Sequence, residues 1–228
     1  MTPEPAACGL WFARARHRVA LLALAAAAVL PSGAWDAARM QLAAQRLGPR
    51  AVAALPPLQA LLAAVGTAGD GERLLSVNRF FNEQIVFRSD RLVWGEEDRW
   101  ASPLEALARG AGDCEDYAIA KYASLLAAGV ARQRLRLVYV RAMVPETGLA
   151  QPHMVLAYDA EVGAEPLILD NLRPEVLPAS QRPDLTPVFS FNDEGLWQGA
   201  GNAPAGDPLL RLSRWREVWR RTQEEGFR

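Results

Sequence analysis

The stretch GAGDCEDYAIAKYASLLAAGV, residues 110–130, places a cysteine between acidic residues at the start of an apolar segment. Asp113 is a residue type that caps helix N-termini, and Gly129 is typical of a helix end. Apolar residues recur between them at helical spacing, as on a helix face that packs against a core. The stretch therefore predicts a helix that begins at or beside Asp113 and carries Cys114 in its first turn.

The segments before this helix also carry helical signals. Ser102, Pro103 and Glu105 form a capping box with proline at the first helical position, which predicts a short helix ending at Gly110. Residues 35–82 read as mostly helical, and an apolar stripe runs through 72–87. We expect breaks in this region at three places: Gly48-Pro49, Pro56-Pro57 and residues 69–71.

The segments after the helix carry strand signals. Residues 135–140, 153–158 and 167–172 are rich in β-forming residues, and a polar stretch separates the last two. Near the end, residues 211–221 predict an amphipathic helix whose two tryptophans, Trp215 and Trp219, pack on the core.

The N-terminus reads as an export signal. Basic residues precede an apolar run of a dozen residues, 19–30, and small residues follow it up to Ala34. We expect a signal peptide over 1–34 and a single domain over 35–228, with residues 35–90 forming its mostly helical N-terminal part. An uncleaved membrane anchor is the alternative, although the run is shorter than the roughly 20 residues that a membrane span needs.

Composition narrows the possible partners. The chain has 228 residues, half of them hydrophobic, and a formal net charge of −1, so nothing indicates binding to a nucleic acid. It has two cysteines and two histidines, and Cys8 and His17 lie in the predicted signal peptide. The exported domain would keep one thiol, Cys114, which cannot form an internal disulfide. Cys114 is therefore a candidate functional residue.

Cys114 and His153 suit nucleophilic catalysis. A thiol nucleophile needs a base with a pKa near neutrality, and a third group that fixes the imidazole tautomer. If strands 153–159 and 164–170 pair around a loop at 160–163, Asp170 lies directly opposite His153. The sequence thus predicts a Cys114, His153, Asp170 triad with the cysteine at a helix N-terminus.

Three acids around the cysteine oppose that role. Asp113, Glu115 and Asp116 suit the cap and the helix dipole, but their charges raise the pKa of a neighbouring thiol. A hard dication such as Ca²⁺ would offset the charge, since it prefers carboxylate oxygens. Helix capping alone is the alternative explanation of these positions, and the spacing is not that of an EF-hand.

Four blocks of this sequence together resemble the bacterial transglutaminase-like cysteine peptidases. The resemblance covers most of the chain after the signal peptide and extends upstream to VNRFFN (77–82) and RWASPLEAL (99–107). The blocks are GDCEDYAIAKY (112–122), QPHMVLAY (151–158), LILDNL (167–172) and PVFSFNDEGLW (187–197).

The resemblance implies an α+β fold of the papain or transglutaminase type, with the nucleophile helix packed against an antiparallel sheet. It assigns the triad to Cys114, His153 and Asp170. It also implies calcium-dependent activity with Asp113 and Glu115, and less securely Asp116, as ligands.

Proteins similar in this way are periplasmic enzymes, and the resemblance extends to their substrate and their control. They cut a large surface adhesin near its N-terminus at a pair of alanines, which releases it and disperses biofilms. The periplasmic domain of an inner-membrane cyclic di-GMP receptor inhibits them by sequestration. Two other functions remain open on the sequence: another thiol acyl-transfer enzyme, such as a transglutaminase or amidase, and a non-catalytic calcium-dependent binding domain.

Overall fold

The structure is a computed structural model that describes Met1 and residues 35–145, 147–161 and 163–227. Apart from Met1, these residues belong to one compact unit, Ser32–Arg228. The predicted signal peptide, Met1 aside, lies outside the described residues. The helices are α1 Ala37–Leu47, α2 Pro49–Gly66, α3 Asp70–Gln84, α4 Asp90–Val93, α5 Pro103–Arg109, α6 Cys114–Ala127, α7 Pro208–Arg211 and α8 Ser213–Glu224.

Two sheets accompany these helices. The strands are β1 Val86–Phe87, β2 Ala111–Gly112, β3 Leu135–Val144, β4 Leu149–Tyr158, β5 Leu167–Leu169, β6 Leu177–Pro178, β7 Leu185–Phe191, β8 Leu196–Gln198 and β9 Pro204–Gly206. β3 to β9 form one antiparallel sheet in the order β6-β5-β4-β3-β7-β8-β9, and β1 pairs with β2 in parallel. The helices pack on one face of the larger sheet, so the predicted α+β class is confirmed.

The helix that begins at Cys114 is the centre of the core. Every residue of α6 from Asp116 to Ala127 is buried, since α3, α5 and the strands β3 and β4 surround the helix. This explains why the helix is apolar on all sides after its first turn rather than amphipathic. Its predicted start is confirmed, and the acids of its first turn are fixed at the edge of the core.

The helix before it, α5, forms as its capping box predicts. The backbone N–H of Ser102 donates to Glu105 Oε2 at 2.9 Å, and Ser102 Oγ accepts from the Glu105 N–H at 3.4 Å. Gly110 ends the helix in the left-handed conformation, with φ of 62°, which a glycine adopts without strain.

One predicted break is wrong. Pro56 and Pro57 lie inside α2 rather than between two helices. Both prolines are exposed, as are Val52 and Ala53, whose carbonyl groups lose their helical donors, so water can hydrate those groups. Buried leucines on the opposite face hold the helix together across the prolines. The predicted breaks at Gly48 and around Gly69 occur.

The closing helix α8 packs on the core through the predicted residues, with Trp215 fully buried and Trp219 4% exposed. Directly after it, the buried side chain of Glu225 binds the start of α5. Its Oε2 accepts from the backbone N–H of Leu104 at 3.1 Å, and its Oε1 accepts from the hydroxyl of Ser102. The C-terminus thus holds α5 in place. Within the described ranges, no helix is both long and apolar enough for a bilayer span.

We expect Glu225 to make stability depend on pH. Burial raises its pKa from 4.5 to about 8, so between these values the folded chain holds a proton that the unfolded chain has released. Stability therefore falls as pH rises through this window. In the wild type we expect the free energy of unfolding to fall on the order of a few kcal/mol between pH 5 and 8. Glu225→Gln imitates the protonated acid and should remove this fall. Urea unfolding at several pH values, in buffer that contains a metal chelator, measures this free energy.

Glu224→Gln is the matched control, because this neighbouring side chain is 58% exposed and only pairs with Arg220. It should keep the pH dependence of the wild type. An unchanged slope in Glu225→Gln would contradict the assignment of the proton to Glu225.

Candidate active site

Asp116 fixes the N-terminus of the nucleophile helix. Its Oδ1 accepts from the backbone N–H of Ala101 at 2.7 Å, and its Oδ2 accepts from the backbone N–H of Asp113 at 3.3 Å. Gly112 makes room for it, because a Cβ there would lie 2.4 Å from Asp116 Oδ2. Both oxygens of Asp116 thus already bind backbone donors, which gives this predicted metal ligand a positioning role in the structure.

His153 and Asp170 are in direct contact, as the sequence predicts. Nε2 of His153 lies 2.8 Å from Oδ1 of Asp170, and both side chains are almost completely buried. The backbone N–H of Leu172 donates to the same oxygen at 3.1 Å, and Arg182 donates to Oδ2 at 2.7 Å. Burial alone would raise the pKa of Asp170, but the bonds from His153 and Arg182 bring it below its ordinary value.

The predicted register of the hairpin is wrong by two residues. β4 and β5 pair Leu156 with Leu169 and Tyr158 with Leu167, so extending the ladder places Val155 rather than His153 opposite position 170. Pro166 has no N–H to donate, and β5 begins after it. A shift of two residues keeps every side chain on its face of the sheet, so the imidazole still reaches the carboxylate diagonally.

Cys114 lies against the same strand as His153. The backbone N–H of Met154, the residue after His153, lies close enough to the Cys114 sulfur to lower the pKa of the thiol. Because Asp170 binds Nε2 of the ring, it fixes the proton there, and Nδ1 is left as the nitrogen that can accept a proton. The start of α6 therefore lies against the strand that carries His153.

A short parallel ladder adds an acid that the sequence analysis missed. β1 pairs Val86 with Ala111 and Phe87 with Gly112, so the chain after β1 runs beside the chain that enters α6. This brings Asp90 to Asp113: one oxygen each of Asp90, Asp113 and Asp116 lies within 4.8 Å of the others. A strand of two residues has no recognisable sequence pattern, so this pairing could not be predicted. The acidic residues at 90 and 96–98 were the available sign of further ligands.

Two further acids join Asp90 in this cluster. One oxygen each of Asp90, Asp98 and Glu115 again lies within 4.8 Å of the others, as do the donors of Asp113, Cys114 and Glu115. We call Asp90, Asp98, Asp113, Glu115 and Asp116 the acidic cluster. It contains all three predicted ligands and two acids that were not predicted.

Asp98 is the member of the acidic cluster that pairs with a cation among the described residues, Arg214 at 3.1 Å. In the described ranges, no lysine or arginine forms an ion pair with Asp90, Asp113, Glu115 or Asp116, and Arg99, whose backbone N–H binds Asp90, directs its guanidinium to other glutamates. Burial and then the charge of Glu115 raise the pKa of Asp113 to about 8. Burial likewise raises the pKa values of Asp90, Glu115 and Asp116.

The donor set fits a hard divalent cation. Asp90 Oδ1 and Asp113 Oδ1 are buried and have no hydrogen-bond partner, and carboxylate oxygens at these distances suit Ca²⁺. The thiol is affected as well. Cys114 donates to Oε2 of Glu115 at 3.0 Å, and burial together with the charge of Glu115 raises its pKa. The protein alone therefore keeps Cys114 protonated.

A cysteine at a helix N-terminus, a buried histidine–aspartate dyad and an α+β fold define a cysteine peptidase of the transglutaminase type. Residues 62–194 match the family model described as bacterial transglutaminase-like cysteine proteinase, and the chain belongs to that family. The predicted family and the papain-like fold are confirmed. No curated protein matches the chain.

Solved structures of LapG from Legionella pneumophila are similar to this chain. The EGTA-treated form matches with a TM-score of 0.71 and 35% identity, over 82% of this chain and 97% of that one. The calcium-bound form matches with a TM-score of 0.69 and 35% identity, over 82% of this chain and 98% of that one.

We expect removal of the Glu115 charge to activate the thiol. In a Cys8→Ser chain, where Cys114 is the remaining cysteine, Glu115→Gln removes the negative charge beside the thiol and so lowers the thiol pKa. Alkylation by iodoacetamide in chelator, followed by mass spectrometry, should accelerate on the order of tenfold. Glu217→Gln, at an exposed site on α8, is the matched control. Equal rates in the two variants would refute the link between Glu115 and the thiol.

Proposed function

We propose that this protein is a calcium-dependent periplasmic cysteine endopeptidase with a triad of Cys114, His153 and Asp170. The observation that supports it best is the 2.8 Å bond from His153 to Asp170, on the strand that packs against the helix carrying Cys114. A buried dyad of this kind next to a thiol at a helix N-terminus is the arrangement that nucleophilic acyl transfer requires.

The first half of the reaction forms an acyl-enzyme. Nδ1 of His153 takes the proton of Cys114, and Asp170 stabilises the imidazolium through Nε2. The thiolate attacks the scissile carbonyl carbon, and the oxyanion is held by backbone N–H groups. The N–H of Cys114 is a candidate, since the first N–H groups of a helix have no acceptor within it.

The second half releases the products. The imidazolium protonates the leaving amine as the C–N bond breaks, which leaves a thioester on Cys114. His153 then takes a proton from water, the resulting hydroxide attacks the thioester carbonyl, and the thiolate leaves. Asp170 keeps the ring in one tautomer through both halves, so the same nitrogen serves as base and as acid.

Asp90, Asp98, Asp113 and Glu115 would supply oxygens to a calcium ion, and Asp116 would position the helix. Bound calcium would supply positive charge beside the nucleophile and so favour its ionised form. Binding of Glu115 to a cation would also compete with its bond to the Cys114 thiol. The calcium-bound form of LapG supports this proposal.

The proposals for the substrate, location and control rest on the resemblance of the sequence blocks to the peptidase family. The proposed substrate is a large surface adhesin cut near its N-terminus at an Ala-Ala site, and its release would promote biofilm dispersal. The export signal predicted over 1–34 supports a periplasmic location. The proposed inhibitor is the periplasmic domain of an inner-membrane cyclic di-GMP receptor.

We expect the full chain to cut an N-terminal adhesin fragment from the same cell when calcium is present, and to lose this activity in EGTA. Cys114→Ala and Asp170→Asn should each abolish cleavage on an electrophoretic gel, the first by removing the nucleophile and the second by releasing the ring tautomer. Cleavage that survives EGTA would refute the role of the metal. Incorporation of an amine without hydrolysis would indicate a transglutaminase instead.

Asp90→Asn should weaken calcium binding on the order of tenfold or more, because it removes one carboxylate charge from the acidic cluster. Calorimetric titration of Cys114→Ala chains, with and without the Asp90 change, measures the binding apart from catalysis. Asp159→Asn is a control, since this acid lies after β4 and outside the cluster. Equal affinity in all three chains would exclude Asp90 as a ligand.

A further inference from the structure

A buried group of charges lies behind the His153–Asp170 dyad. Arg182 donates through Nη2 to Asp170 Oδ2 at 2.7 Å and to Asp184 Oδ2 at 2.7 Å, and through Nε to Asp184 Oδ1 at 3.0 Å. The side chains of Arg182 and Asp170 are 1% and 0% exposed. An ion pair so far from water is costly to form and is strongly destabilising when one partner is removed.

Arg182 donates a hydrogen bond to the oxygen of Asp170 that does not bind His153. Oδ1 binds His153 and the backbone N–H of Leu172, whereas Arg182 is the donor to Oδ2. Without that donor, a buried carboxylate would rotate or take up a proton, and either change disturbs the bond to the ring. We propose that Arg182 is a positioning residue that keeps Asp170 ionised and oriented toward His153, a role that rests on the proposed function.

The surroundings hold the guanidinium in turn. Asp184 binds two of its nitrogens, and the carbonyl of Asp184 accepts from the backbone N–H of Met143 on β3 at 2.8 Å. On the other side, Asn82 of α3 binds the backbone carbonyl of Asp170 at 2.9 Å. The dyad is therefore fixed from the sheet through Arg182 and from the helical layer through Asn82.

The other cation near Asp170 cannot replace Arg182. Lys121 lies on α6, fully buried, and its Nζ has no hydrogen-bond partner, although its charge acts on Asp170. Burial lowers its pKa to about 7, so near neutral pH much of it is uncharged. The planar fork of an arginine also binds both aspartates at once, which a single ammonium group does less well.

The test compares Arg182→Met with Arg182→Lys in a full chain carrying His17→Gln, so that ¹⁵N-histidine labels His153 as the remaining histidine. NMR at fixed pH then reports the tautomer. We expect the wild-type ring to be protonated at Nε2, Arg182→Met to show mixed tautomers, and Arg182→Lys to restore part of the preference. In the adhesin assay, kcat should fall on the order of ten- to a hundred-fold in Arg182→Met, while KM changes little. Removing a residue that orients a functional histidine has an effect of this size in metal sites.

Arg134→Met is the matched control, because Arg134 also pairs with an aspartate, Asp70 at 2.6 Å, far along the sheet from the dyad. It should lower the melting temperature and leave the tautomer unchanged. A folded Arg182→Met chain with the wild-type tautomer and kcat would overturn the proposal, as would a loss of melting temperature alone.

If Arg182→Met does not fold, Asp184→Asn decides, since it loosens the guanidinium but leaves its bond to Asp170. We expect a partial loss of the Nε2 tautomer and of kcat, and unchanged values would overturn the proposal. The NMR measurement needs no substrate. A wild-type chain that cuts no adhesin fragment but shows the Nε2 tautomer would therefore refute the proposed function. The tautomer in the variants would still decide whether Arg182 positions Asp170.

Discussion

The carboxylates that share the first turn of α6 with Cys114 are the constraint on which the rest of the site depends. A helix N-terminus favours negative charge, and that preference explains Asp113, Glu115 and Asp116 as a capping set. Burial acts the other way, and it raises the pKa values of these acids and of the thiol. Since no basic side chain of the described residues pairs with them, their charge must be offset from outside the chain or removed by protons.

Buried hydrogen bonds connect the first turn of α6 to the C-terminal end of the domain. Asp116 binds Ala101, and the next residues, Ser102 to Leu104, are held by Glu225 at the end of the chain. The entry of α6 is thus joined through α5 to the C-terminus by buried hydrogen bonds. A change in the protonation of Glu225 acts on the same backbone segment that positions the nucleophile helix, so folding stability and site geometry share one support.

How much the sequence predicts depends on whether a feature is local. The start of α6, the capping box of α5 and the packing of Trp215 follow from residue types at fixed spacing, and they were predicted correctly. The dyad was predicted with the wrong pairing, because side-chain alternation reveals the face of a strand better than its register. Asp90 and Arg182 were missed, since a two-residue ladder and an irregular loop bring them to the site and neither leaves a periodic pattern.

Two aspartates of this site, Asp170 and Asp113, have pKa values shifted in opposite directions. Asp170 is fully buried, and bonds from Arg182 and His153 bring its pKa below the ordinary value. Asp113 is half-buried, and burial together with the charges of Glu115 and Asp90 raises its pKa to about 8. The difference lies in the cations that the chain provides, because desolvation opposes ionisation in both cases. The protein supplies the positive charge on the histidine side of the site, and on the cysteine side it provides oxygen ligands in its place.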